Sequence, residues 1–444
     1  MKLLILGNDG RAHALVWKLF NSPLADEVIC APGNGGTSML APQAELDLNN
    51  ALEIARWSFD NNIDIIIPGD TAPLGAGLVD EVVSFHIGVS GPAQRTSRLE
   101  TSRCYAKELL LRYNLPTPPG RPFDQLDMAE RYLASQPLPV IIKADHPDGG
   151  EAVFYDRYSA LQGLHELFAA RSLQGESNGV VIEAFMQGPR IAQSTLTDGH
   201  TALPMLPARI FNHTSEKEDI VAPGMGACTG TSVYAERLGE YIHAKLLEPL
   251  IAALAKENLP FWGFLGVDTI ITAQGPRIIN IRASLRDQEA QVVLPRLEDD
   301  LLPLVQAAIS TRLHSVPKPS WRNEASVGVT LVAQGYPVNF AVGGAIQGLD
   351  ELDEGVLAFH HETHNANGLK YNPTSSNTRG TFATLIMGKS PTSVGMSTTG
   401  GHVLTVVALG STANSARSRA LINAERISFP GRYFRSDIGQ KEFQ

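Results

Sequence analysis

At its N-terminus the chain repeats one unit: a short apolar run, a glycine turn, then a segment of helical pattern. Lys2 to Leu6 enters Gly7-Asn8-Asp9-Gly10 and a helical stretch beginning at Arg11. Further apolar runs at Glu27–Ala31, Ile63–Ile67 and Ile87–Val89 alternate with helical segments such as Ala51–Phe59. This alternation predicts a parallel sheet with crossover helices, whose ligands lie at the carboxyl ends of the strands. There the sequence places Gly7-Asn8-Asp9-Gly10, Pro32 to Thr37, Gly69 to Leu74, and Gly91-Pro92, a rim suited to phosphate or ribose. GNDG lacks the GxGxxG spacing, and no acidic residue closes a second strand in the expected way, which disfavours a nicotinamide cofactor.

A chain of 444 residues exceeds the roughly 250 to 300 at which one core stops growing, so several domains are expected. Its formal net charge of -10 argues against nucleic acid as a partner and leaves small-molecule substrates, phosphorylated ones included. No apolar run approaches the ~20 residues of a membrane span, and no leader pattern precedes the first strand. Cys30, Cys104 and Cys228 form no CxxC pair, which fits a reducing cytoplasm. A homo-oligomer is left open.

Beyond residue 100, ETSRCYAKELLLRY predicts a helix N-capped by Thr101 or Ser102, with Arg103 and Lys107 on one face. The stretch VIIKADHPDGGEAVF then reads as a hairpin, with Lys143 closing a buried strand and Gly149 and Gly150 in its turn. A lysine beside a flexible glycine turn suits nucleotide phosphates; the plain alternative is a surface hairpin. With a helix near 158–170 and the strand Gly179–Phe185, this makes a small α+β lobe. A loop is expected at Pro223–Ala227, a long amphipathic helix at Tyr234–Glu257, a hairpin at Thr269–Ile281, and an extended segment carrying Asp287 and Glu289 side by side. Lys318–Asn323 is the linker candidate, and His360–Thr399 reads as a long polar loop carrying at most one hairpin. His360, His361 and His364 lack the HExxH order, so their clustering is read as chance. His13 reads as a solvent-facing or satisfied histidine rather than a phosphate ligand.

In this order and spacing, GNDGRAHALVWK, APGNGGT, IPGDTAPL, IIKAD, VIEAF, GMGA, GFLG, DQEAQ, QGYP and FRSDIG resemble glycinamide ribonucleotide synthetase, the phosphoribosylamine-glycine ligase of purine synthesis, an ATP-grasp enzyme. The resemblance runs nearly end to end. It implies a multidomain α/β fold: an N-terminal parallel-sheet domain (1–100), an ATP-grasp α+β domain (101–322) with a small hairpin lobe near 118–190, and a C-terminal mixed β domain (323–444). It implies that ATP transfers a phosphoryl group to glycine and that phosphoribosylamine attacks the glycyl phosphate. Lys107 and Lys143, with Gly149 and Gly150, match the phosphate-binding positions, and Glu183, Ala184 and Phe185 the adenine segment. Gly7, Asn8, Gly10, Gly33, Asn34, Pro73 and Gly226 match the substrate rim, and Asp287 with Glu289 the catalytic acidic pair.

The departures fall on chemistry. The hairpin lysine of the family's AAGKGV is replaced by Glu151, and the ribose glutamate of its GEE by Arg190. Its metal-binding EFN reads Asn280-Ile281-Arg282, followed by Ser284 and Arg286 in place of arginine and glycine. Its NTGGMGA reads Val221 to Ala227, and its GPEAPL reads Gly69 to Leu74. Asn280 could ligate Mg²⁺ only as a neutral oxygen, and Arg282 places a cation where the ion belongs. Two readings follow: a divergent ATP-dependent ligase, or a folded paralogue that binds a nucleotide or phosphoribosyl ligand, or serves as an assembly partner, without catalysis.

Overall fold

The computed structural model describes residues 1–146, 150–172, 179–215, 221–366 and 395–440. Four parallel strands open the chain: β1 (Lys2–Gly7), β2 (Glu27–Pro32), β3 (Ile65–Pro68) and β4 (Gly88–Val89), in the order β2-β1-β3-β4. Their apolar runs are buried on both faces, as a sheet covered by crossover helices requires. At the end of β1, Gly7 has φ +148°, and a Cβ there would meet Ala12 Cβ at 3.0 Å. Only glycine lets the helix Gly10–Phe20 start so close to the sheet. Asp9 caps that helix, its carboxylate accepting from the Ala12 amide at 2.9 Å.

The small lobe is a second sheet, β5 (Gly120–Phe123), β6 (Val140–Ala144), β7 (Glu151–Phe154) and β8 (Val180–Ala184), ordered β5-β8-β6-β7. The expected hairpin is β6–β7, with Val140 opposite Phe154 and Lys143 opposite Glu151. Of its turn, Gly150 is described and exposed, whereas Gly149 lies outside the described residues. The helix carrying Lys107 runs from Arg103 to Arg112 behind its N-cap Ser102.

The remaining strands are β9 (Arg190–Thr197), β10 (Ala202–Pro204), β11 (Ala208–His213), β12 (Val221–Thr229), β13 (Gly263–Thr272), β14 (Gly275–Arg282), β15 (Ala325–Ala333), β16 (Leu357–His360), β17 (Thr363–Asn365), β18 (Met396–Thr398), β19 (His402–Gly410) and β20 (Arg432–Tyr433). Ten of them make one sheet along β14-β13-β9-β11-β12-β15-β19-β16, with β10 and β20 paired at its sides. β12, from the middle of the chain, pairs antiparallel with β15, from its C-terminal part, through Gly226–Val329 to Thr229–Ser326. The C-terminal strands therefore continue the large-lobe sheet. Lys318–Asn323, read as a linker, is held by backbone bonds from Glu298 to Ser320 and from Arg322 to Arg296.

Two expectations are corrected. Pro223–Ala227 lies within strand β12, because β11 and β15 supply its hydrogen bonds and the positive φ of Gly224 and Gly226 lets so glycine-rich a segment follow them. Asp287 and Glu289 sit in the first turn of a helix, Asp287–Val293, where Glu289 caps the Arg286 amide. Two residues along a helix span about 200°, so their side chains part rather than point together. Of the long polar segment, Thr363–Asn365 and Met396–Thr398 pair as a hairpin base, and 367–394 lies outside the described residues.

Candidate functional site

A cavity of about 170 Å³ lies where the small lobe meets β14 and the Arg103–Arg112 helix, lined among others by Glu100, Lys107, Lys143, Glu183, Asp268 and Arg282. Lys143 leaves β6 and Lys107 leaves its helix to meet on Glu183, at 2.8 and 2.6 Å, all three side chains being no more than 5% exposed. Burial pushes the Glu183 carboxyl up, but the two ammoniums outweigh it and hold it below its usual range. Burial works the other way on Lys107, drawing its ammonium down against the pull of Glu183. Two buried cations on one carboxylate leave a net positive charge in the cleft, suited to a phosphate.

The backbone of the adenine-matching segment is engaged at its amides. Ala184 N–H donates to Pro119 O at 2.8 Å and Phe185 N–H to Pro139 O at 3.2 Å, both residues being half-buried just past the point where Glu183 lines the cleft. At the hairpin root Glu151 sits 3.6 Å from Arg190 and 3.8 Å from Arg103. The Glu151 carboxylate thus pairs across the hairpin root with the Arg190 guanidinium.

On the opposite wall, Arg282 Nε lies 2.9 Å from Asp268 Oδ1 and its Nη1 2.9 Å from Glu289 Oε2. Arg286 pairs with the other Asp268 oxygen, and Asn280 Nδ2 approaches it at 3.4 Å. Glu289 is fully buried and also accepts from Ser194 Oγ. Two guanidiniums against two carboxylates cancel formally, so these residues hold no surplus negative charge for a divalent ion. Asn280 turns its amide nitrogen, a donor, to Asp268. The donor set therefore does not fit a resident magnesium held by Asn280 with Asp268 or Glu289. Nearby, burial raises the Glu100 carboxyl to about 7, against the opposing Ala283 amide and the charges of Arg11 and Arg282.

The N-terminal rim meets the C-terminal strands at a third place. Asn34, buried, donates from Nδ2 to Asn8 O and His360 O and accepts from the Gly36 and Thr37 amides, so its side chain is a clamp between segments. Gly33 N–H donates to Gly7 O, and the Gly10 amide donates to His361 Nδ1 at 3.1 Å. Pro73 is buried in the short helix Ala72–Gly75. Gly226 lies within the large sheet, where a Cβ would strike Gly328 O at 2.6 Å, whereas Gly224 borders Gln288 and His402. Asp287 is joined here by His361 and His402, one ligand atom of each lying within 4.8 Å of the others. Burial, then repulsion from Asp9, raises the Asp287 carboxyl, and burial first of all keeps His361 and His402 below the usual histidine range.

Of the predicted residues, the structure gathers Lys107, Lys143 and Glu183 in one cleft and Gly10 with Asp287 at another junction. Glu289 belongs to the buried charge network instead. His364 is exposed and apart from His361, while the buried His13 accepts the His360 amide at 2.9 Å. Asp268, Glu100 and His402 were not singled out from the sequence. Asp268 interrupts the apolar run GFLGVDTII, a signal of a partnered charge; His402 carried none.

A hairpin lobe closing over a larger antiparallel sheet, with two lysines in the cleft between them, defines the ATP-grasp class. The family models agree: residues 1–100 match the N domain of phosphoribosylglycinamide synthetase, 101–290 its ATP-grasp (A) domain and 326–441 its C domain. A phosphoribosylamine–glycine ligase of Mesorhizobium japonicum is 34% identical over 447 positions, covering 99% of this chain and 98% of that one. The crystal structure of the Thermotoga maritima phosphoribosylamine–glycine ligase superposes with TM-score 0.79 at 22% identity, over 98% of this chain and all of the other. The biotin carboxylase domain of Hydrogenobacter thermophilus 2-oxoglutarate carboxylase, solved with MgADP and bicarbonate, shares the fold at TM-score 0.70 and 14% identity, over 97% and 91% of the two chains. The chain belongs to the phosphoribosylglycinamide synthetase family.

Proposed function

We propose that the chain is an ATP-dependent carbon–nitrogen ligase of purine biosynthesis, of the phosphoribosylamine–glycine type. The supporting observation is the pair Lys107 and Lys143 converging on buried Glu183 in the inter-lobe cleft of a chain whose whole length matches the family. ATP use goes with the ATP-grasp family, and a magnesium–nucleotide complex is bound by the Hydrogenobacter neighbour. In the reaction the terminal phosphoryl group passes to the glycine carboxylate, the amine of phosphoribosylamine attacks the acyl phosphate, and phosphate leaves. Lys107 and Lys143 neutralise the phosphates, and Gly150 with the β8 edge at Ala184 and Phe185 borders the nucleotide. Gly7, Asn8, Gly10 and Gly33 form the phosphoribosyl rim, with Asp287 at its inner end. Magnesium accompanies the nucleotide and finds no surplus charge among Asp268, Asn280 and Glu289.

The second reading, a ligand-binding paralogue without ligation, draws on Arg282 between Asp268 and Glu289. Among the described residues no helix is long and apolar enough to cross a membrane, and both readings concern small-molecule substrates. One assay separates them: ADP release by the full chain with glycine and with phosphoribosylamine formed in situ from ribose 5-phosphate and ammonia. Release that needs both substrates supports the ligase. ATP binding without turnover supports the paralogue.

A further inference from the structure

Asp287, His361 and His402 come from chain segments far apart and meet where the N-terminal rim, the large sheet and the C-terminal strands join. The hydrogen bonds around them define their chemistry. His402 Nε2 lies 3.0 Å from the carbonyl of Gly224, which can only accept, so Nε2 carries the proton and Nδ1 a lone pair. His361 Nδ1 accepts the Gly10 N–H, which places its proton on Nε2, 3.1 Å from Thr405 Oγ1 and 3.3 Å from the Gln291 amide nitrogen. Each imidazole is thus oriented by a partner on Nε2, as metal-bound histidines are by an outer carbonyl or hydroxyl. Asp287 is held likewise, Oδ1 by Gln291 Nε2 and Oδ2 by Gln288 Nε2, both at 2.7 Å.

This leaves an electrostatic conflict. His361 Nδ1, whose lone pair accepts the Gly10 N–H, also lies 3.3 Å from Asp287 Oδ2, and no hydrogen sits between these two electron-rich atoms unless the carboxylate itself is protonated. Arg11, the cation of this junction, acts on Asp287 through its backbone amide and at a distance through its charge, while its guanidinium is bound to Asp9, Ser284 and Leu285. A cation resolves the conflict. Two imidazoles and a carboxylate make a donor set for borderline divalent ions, three protein ligands leaving a coordination position for water or substrate.

We propose that Asp287, His361 and His402 bind a zinc-class divalent ion at the junction of the three domains. The site is separate from the inter-lobe cleft; it shares Asp287 with the phosphoribosyl rim proposed above, and metal binding tests it without reference to ligation. Binding draws the three ligand atoms together and takes over the His361 lone pair that the Gly10 amide now uses.

The test is Co²⁺ titration of the full chain after chelator treatment and dialysis, read by visible d–d absorption and by Zn²⁺ competition. One equivalent of Co²⁺ displaced by Zn²⁺ is expected, with affinity lowered roughly a hundredfold or more in His361→Ala and His402→Ala, since a metal's affinity rests on its complete ligand set. His364→Ala, at an exposed histidine outside the cluster, should bind like the parent. Because a histidine variant could fail to fold, the near-isosteric Asp287→Asn is measured alongside, with circular dichroism on all. No stoichiometric uptake by the parent overturns the proposal in favour of a proton held by Asp287. So does undiminished cobalt affinity in a folded Asp287→Asn.

Discussion

Arg282 and Glu289 meet at 2.9 Å with side chains 7% and 0% exposed, the guanidinium reaching on to Asp268. Removing the cation strands the buried Glu289 and leaves Asp268 to Arg286 alone. Arg282→Ala is therefore expected to cost about 3–5 kcal/mol of stability, the usual result of breaking a buried pair from one side. Urea unfolding measures it; a midpoint unchanged from the parent would mean that water reaches and solvates this network.

The same network sets the response to magnesium. In the parent, ATP affinity should depend little on Mg²⁺. The triple variant Asn280→Glu, Arg282→Asn and Glu151→Lys supplies an anionic ligand, removes the competing cation and returns a cation to the hairpin. Calorimetric titration of ATP with and without Mg²⁺ should then show tighter, magnesium-dependent binding, each single change doing little because the site acts as a unit. A parent with strongly magnesium-dependent affinity contradicts this account.

Lys143 offers a test of the cleft. Lys143→Met removes a phosphate partner and half the neutralisation of Glu183, so ATP affinity should fall about tenfold or more, with a loss of stability besides. The double variant Lys143→Met/Glu183→Gln should recover stability but not affinity. Recovery of both would assign Lys143 a purely structural role.

His13 and His360 are buried and neutral, burial lowering both, His13 well below the usual range and His360 to about 4. Repulsion from His360 lowers His13 further. The unfolded chain takes up their protons near pH 6.5 and the folded chain does not, so their contribution is complete above about pH 6.5 and lost as pH falls toward 4. Each histidine adds up to ~1.4 kcal/mol per pH unit in that window. Urea midpoints at several pH values should show the loss, and His13→Gln/His360→Gln should flatten it in part. An unchanged slope in the double variant would place the protons elsewhere.

Strand–turn–helix units, the hairpin at Lys143 and the helix at Lys107 were legible because periodicity and punctuation are local. Strand β12 was not, since Pro223, Gly224 and Gly226 read as turn residues and only pairing with β11 and β15 makes the segment extended. That Asp287 and Glu289 part from each other was not legible, because Arg282, reaching Glu289 from β14, and His361, facing Asp287 from another part of the chain, lie far from them in sequence. The histidines show the limit from the other side. Adjacent letters at His360, His361 and His364 were read as chance, and the group that does form joins His361 to His402 and Asp287, which no local spacing announces.

The single sheet running from β14 to β16 has a consequence for the history of the chain. Because β12 and β15 share their hydrogen bonds, cutting the gene between them would leave each product with a raw, adhesive border, soluble only if the other were made beside it. The C-terminal part is therefore poor material for shuffling onto other proteins.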